Sequence, residues 1–157
     1  MTTLFILWLT VLFFAFHLAG HLFDMRANQP NWRSAEPDAV KRYRDFYRVS
    51  SPRQFFAPLV IGCPLAALAA LAFAWEYGGA ALGYLTLTFC TGLAVLILTV
   101  VYFVPVNKYL FTAESLDAGR LKKRTAFWMS LEYVRVSLLV VGLLAAILAL
   151  EDFRTLT

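Results

Sequence analysis

Polar and apolar residues along this chain separate into long blocks rather than alternating. Four stretches are almost wholly apolar, at residues 4–23, 55–75, 80–104 and 126–150. A helix crossing the roughly 30 Å hydrocarbon core of a bilayer needs about 20 such residues. Each stretch therefore predicts one membrane-spanning helix, and the fold class is all-α: a four-transmembrane-helix bundle in a single integral membrane domain over residues 1–157. The long first connection carries a different pattern. Ser34, Ala35, Glu36 and Pro37 read as a helix start, because proline is tolerated in the first turn. Val40, Tyr43, Phe46 and Tyr47 then recur at helical spacing, opposed by Lys41, Arg42, Arg44 and Arg48. That pattern predicts an amphipathic interfacial helix over 36–49, with its aromatics at headgroup level and its basic groups toward anionic lipid. A lid over a site is the alternative reading. The second connection, "EYGGA", has room only for a helical hairpin.

Composition sharpens this picture. Of 157 residues, 61% are hydrophobic and 15% charged, whereas soluble domains are near half apolar. Four such runs in so short a chain leave almost no polar surface, which argues against a soluble bundle. Secretory signal peptides begin with a basic segment; only Met1, Thr2 and Thr3 precede the first apolar run, so it reads as a retained helix. Twelve of the fourteen basic residues lie in the two alternate connections, 24–54 and 107–125, and none in 76–79. Basic loops stay on the cytoplasmic side, so both termini are expected on the non-cytoplasmic side of a plasma or inner membrane. The net charge of +4 has the same origin, and without a folded basic domain it does not point to nucleic acid. Cys63 and Cys90 fall inside spans without a Cys-x-x-Cys pair. They read as small hydrophobes, not as a disulfide framework or zinc site.

Candidate chemistry comes from ionisable groups within the spans, which usually face the bundle interior, a cavity or one another. At 100° per residue, His17, His21, Asp24 and Thr10 share one face of the first span. Trp128, Glu132 and Arg135 repeat the same offsets in the fourth. In the third, Tyr84, Thr88, Thr91, Thr99 and Tyr102 fall within one arc. The second span contributes little beyond Gln54. Antiparallel threading brings His17, His21, Glu132, Arg135, Tyr102 and Asn107 to one level, roughly 5–15 Å below the cytoplasmic boundary. A polar pocket in that leaflet is the expected site, with Tyr102, Trp128 and Thr99 lining it. Asp24 reads as a boundary residue. The threonines are equally explained by bonds to their own helix backbone, and Glu132 with Arg135 by mutual neutralisation. Two histidines at i and i+4 can chelate one ion, and Glu132 or Asp24 would complete a facial set with His17 and His21. A single metal ion at His17, His21 and Glu132 and a metal-free pocket both remain open. A carboxylate-bridged di-iron site, needing about four carboxylates, does not fit.

At "VPVNKYLF" and "AFWMSLEYVRVSL" the chain resembles the anthrone-oxygenase-like family of small four-span membrane proteins. Pro105 and Asn107 match its Pro-x-Asn at the end of the third span, and Trp128 and Arg135 match the opening of the fourth. Glu132 stands where an Asn or His is usual. His17 and His21 have no counterpart in that motif. The resemblance implies the four-span layout and, from fungal members, oxidation of polyketide anthrones to anthraquinones.

Three functions follow as expectations. The first is oxidation of a small hydrophobic, aromatic substrate arriving from the bilayer. In it His17 is base or ligand, His21 and Glu132 assist, and Arg135 and Asn107 stabilise an enolate-like oxygen. The second is a non-catalytic subunit docking a membrane-protein partner or a second copy. The third is transport of a proton or small solute, for which the outer halves of the spans offer little beyond threonines.

Overall fold

The computed structural model describes residues 1–113 and 115–156. Among them are six α-helices and no strand: α1 (Thr2–Phe23), α2 (Pro37–Phe46), α3 (Arg53–Ala74), α4 (Gly79–Leu98), α5 (Val104–Thr112) and α6 (Ala118–Leu156). α1 runs on through a π-helical turn, Asp24–Asn28, and a 3-10 turn, Gln29–Asn31. α4 joins α5 through a second π-helical turn, Thr99–Phe103. Four continuous helical stretches are thus long and apolar enough to cross a membrane: Thr2–Asn31, Arg53–Tyr77, Gly79–Thr112 and Ala118–Thr155. The protein is an integral membrane helical bundle. α1 packs against α3 and α6, and α4 against the same two, closing a ring.

The elements extend beyond the apolar runs for local reasons. Residues 118–125 are basic but contain no proline, and the Asp117 carboxylate accepts the Arg120 backbone N–H at 2.7 Å. That is an N-cap, satisfying one of the donors a helix start leaves open. α6 therefore begins eight residues before the apolar run and spans about 58 Å at 1.5 Å per residue. In the third span, Pro105 lacks an N–H and its ring would clash with the carbonyl four residues earlier. The π-helical turn at Thr99–Phe103 widens the helix at that place, adding a residue to the turn. At the opposite end, Gly78 and Gly79 both take positive φ, 66° and 73°, which lets the α3–α4 hairpin close.

The core residues fall into three layers. Leu7, Leu85, Ala146, Leu150 and Phe153 pack at the end bearing the termini. Phe14, Cys63, Ala67, Val95 and Leu139 form the middle. Trp32, Val40, Phe103, Leu110, Leu121 and Trp128 pack at the end bearing the basic connections. Phe14, 0% exposed, fits the middle layer because its neighbours on α4 and α6 are Gly92 and Gly142. A Cβ at Gly142 would lie 2.3 Å from Phe14 Cε1 and 2.6 Å from Thr91 Oγ1. Gly142→Ala should therefore cost about 1–3 kcal/mol through overpacking. Gly83, with open space around its added Cβ, should instead gain about 0.5–1 kcal/mol as alanine. Unfolding in mixed micelles measures both. Equal effects at the two positions would mean that Phe14 does not require the glycine.

α2 is amphipathic, but one of its basic groups does not face lipid. Arg44 Nε donates to the Leu110 carbonyl at 2.8 Å and Nη1 to the Ala113 carbonyl at 2.9 Å. These carbonyls lie at the α5 C-terminus, where a helix has acceptors without intrahelical partners and a negative dipole end. Burial lowers the Arg44 pKa, opposed by Asp45 and Tyr109. The other face of α2 buries Ala39 and Val40, while Phe46 is exposed. Tyr43 packs on Trp32 and Phe111. Burial, then Asp24 and Tyr47, push its hydroxyl well above the ordinary range, so it stays neutral. The segment is strapped across the basic end of the bundle as well as amphipathic.

Candidate functional site

Between α1, α3 and α6, just inside the layer covered by α2, lies a buried polar cluster. His17 and Glu132 are 0% exposed, His21 2% and Arg135 6%. The helical offsets explain why they meet: His17 and His21 are one turn apart on α1, and Glu132 and Arg135 nearly one turn apart on α6. His21 Nδ1 lies 2.8 Å from Glu132 Oε1. The other carboxylate oxygen, Oε2, accepts a hydrogen bond from Arg135 Nη2. One carboxylate thus links a guanidinium on its own helix to an imidazole on another.

Aromatic rings enclose these groups. The His21 ring stacks on Phe56, centroids 4.4 Å apart, and lies 4.9 Å from the His17 ring. The Arg135 guanidinium sits 3.7 Å above the Phe103 centroid and 5.9 Å from Trp128. Such cation–π contacts strengthen as water is excluded. His17 Nδ1 lies 3.5 Å from Cys63 Sγ. His17 Nε2, both ring nitrogens of His21 and Glu132 Oε1 are buried without an aligned hydrogen bond among the described residues, so the His21–Glu132 approach is a close electrostatic contact.

Several expected site residues fall elsewhere. Asn107 Oδ1 accepts the Trp128 Nε1–H at 2.9 Å, so its amide steadies the indole. The Thr99 hydroxyl donates to the Val95 carbonyl at 2.7 Å. Tyr102 is half-buried against the layer of Trp32 and Trp128, edge-on to Phe127 at 5.1 Å. The π-helical turn rotates the helix between Thr99 and Phe103, so Phe103, not Tyr102, faces inward. Thr10, Thr88 and Thr91 bond backbone carbonyls of their own helices. Asp24 is not a solvated boundary residue. It is 9% exposed and accepts hydrogen bonds from Asn28 Nδ2 at 2.8 Å and Gln29 Nε2 at 3.2 Å. Helix continuing past it to Asn31 keeps it in the protein.

α3 contributes more than Gln54, since it brings Phe56 and Cys63 to the histidines. Its signal was a stripe at helical spacing, Phe56, Val60, Cys63 and Ala67, of which all but Phe56 are buried. Among the described residues, no group of three or more His, Cys, Asp and Glu side chains is arranged to hold a metal ion. His21 adjoins both His17 and Glu132, but Glu132 is committed to Arg135 and one nitrogen of His21.

Residues 46–145 match the family model described as anthrone oxygenase. The chain belongs to the anthrone oxygenase family. The matched segment holds Cys63, Phe103, Asn107, Trp128, Glu132 and Arg135, whereas His17, His21 and Asp24 lie outside it. The α1 face of the site is therefore built by a segment beyond the family match. No curated protein and no solved structure matches the chain.

Proposed function

We propose that this anthrone oxygenase family member oxidises a planar, hydrophobic aromatic substrate that reaches the polar cluster from the bilayer. The observation that carries the reading is His21 held between Glu132, 2.8 Å from Nδ1, and a buried Nε2 with no protein partner among the described residues. A carboxylate this close to Nδ1 favours the proton on that nitrogen and leaves Nε2 as the base. We assign the base role to His21 rather than His17, whose Nδ1 adjoins a thiol instead of a carboxylate. A methylene flanked by aromatic rings and conjugated with a carbonyl is acidic enough for such a base. Its anion carries charge on the carbonyl oxygen, where Arg135 is the available cation. Dioxygen as oxidant balances the conversion: CH2 plus O2 gives C=O plus H2O. Phe56, Phe103 and Trp128 enclose the His21 and Arg135 side chains with apolar rings.

The test is direct. Purified protein in lipid nanodiscs, given anthrone and air, should accelerate both oxygen uptake and anthraquinone formation. Formation at the rate of protein-free nanodiscs would overturn the reading. The close packing of the cluster favours a second reading, in which Glu132, Arg135 and the histidines only bind helices together or shape a subunit for a membrane-protein partner. Buried polar contacts between membrane helices can serve that role. Substitutions would then weaken assembly, with no turnover to lose. We also propose that both termini lie on the non-cytoplasmic side, because the basic connections share one end.

A further inference from the structure

We propose that a groove between the third span and α6 binds the headgroup of an anionic phospholipid. The groove encloses about 360 Å³ and is lined by Tyr102, Pro105, Val106, Lys123, Arg124 and Phe127. It lies at the basic end of the bundle, where Lys123 and Arg124 stand. Lys123 and Arg124 supply two positive charges with no carboxylate among the lining residues. Arg124 is held in place, its guanidinium 4.2 Å above the Tyr109 ring. The Tyr102–Phe127 edge contact, centroids 5.1 Å apart, forms an aromatic wall of the kind found at headgroup level.

What distinguishes a lipid from a free phosphate is the surface that continues from the groove. One turn from Tyr102 lies Leu98, and one turn from Phe127 lies Leu131, both packed in the same apolar cluster. Two turns from Phe127 on the same face of α6, Val134 is 48% exposed. Charge at the mouth and an apolar track beyond it match an anionic head joined to acyl chains. Basic pockets between spans that take lipid headgroups follow this design.

Native mass spectrometry of the detergent-solubilised chain tests this, titrated with phosphatidylglycerol, phosphatidylcholine or glycerol phosphate. The expected result is one retained phosphatidylglycerol per chain, with weaker retention of the other two. Each cation near the surface contributes about fivefold in affinity. Lys123→Gln should therefore weaken retention about fivefold, and Lys123→Gln with Arg124→Gln about 30-fold. Lys122→Gln removes the same charge from the same turn but lies outside the groove lining, and should weaken retention clearly less than Lys123→Gln does. Equal loss from Lys122→Gln would reduce the effect to general surface charge and overturn the site. Equal binding of phosphatidylcholine would overturn the charge selection. Equal binding of glycerol phosphate would overturn the lipid as ligand. Lys123 is exposed, so the single variant keeps the comparison open if the double variant unfolds.

Discussion

Replacing Glu132 with alanine is expected to remove about 3–5 kcal/mol of stability, the usual consequence of stripping one partner from a buried ion pair. The cost does not come mainly from lost attraction. It comes from leaving the Arg135 guanidinium, 6% exposed, without an anion. The Phe103 face below it offsets part of that loss, since a desolvated cation–π contact is worth about 2 kcal/mol. A double variant, Glu132→Ala with Arg135→Met, removes both charges and restores apolar volume. It should recover much of the loss, giving strong coupling in a double-mutant cycle. The chain contains its own control. Arg154 and Glu151 make the same i, i+3 pair at 3.1 Å, but their side chains are 56% and 59% exposed. Glu151→Ala should cost less than about 1 kcal/mol. Unfolding of each variant in mixed micelles is the measurement. Additive losses at 132 and 135 would show that the pair does not act as a unit.

The difference between the two ion pairs also shows what the sequence could convey. The four spans were legible because a bilayer demands apolar length, a property of composition along a window. The meeting of His21 with Glu132 and Arg135 was legible because antiparallel threading fixes depth and regular helix geometry fixes face. The failures occur where the helix is not regular. Counting 100° per residue through Thr99–Phe103 misplaces Tyr102, because the backbone makes a π-helical turn there, whereas Thr99, at its first residue, simply bonds its own helix backbone. Pro105 was the available sign of that turn, since its missing N–H must be accommodated upstream. A boundary position for Asp24 requires α1 to stop when apolarity stops, whereas helical structure continues to Asn31.

A different failure affected groups whose partners come from distant sequence. Cys63 is a plain hydrophobe by composition, and only the packing of α3 on α1 brings it to His17. Arg44 belongs by periodicity to the basic face of α2, expected toward anionic lipid. It is instead drawn to the α5 C-terminus, a position 65 or more residues away that no local pattern encodes. Polar complementarity between remote backbone and side chain is specified by tertiary structure. Hydrophobic periodicity reports only which face of a helix avoids water.

His21→Ala is expected to lower anthrone turnover about 10²–10⁴-fold, the range general acid–base groups contribute, while the bundle stays folded. Stability should survive because Glu132 keeps Arg135, the partner that compensates its charge, and a small cavity beside Phe56 replaces the ring. Glu132→Gln keeps the side-chain volume but not the charge that favours a protonated imidazole, so turnover should also fall. His17→Ala should fall less, because His17 is not held by a carboxylate. Added imidazole separates chemistry from packing. If His21 is the base, imidazole diffusing into the vacated space should restore part of the turnover in His21→Ala and none in Glu132→Gln, where the ring is already present. A His21→Ala variant that keeps full activity would remove His21 as the base and leave the aromatic-walled cluster as a packing device.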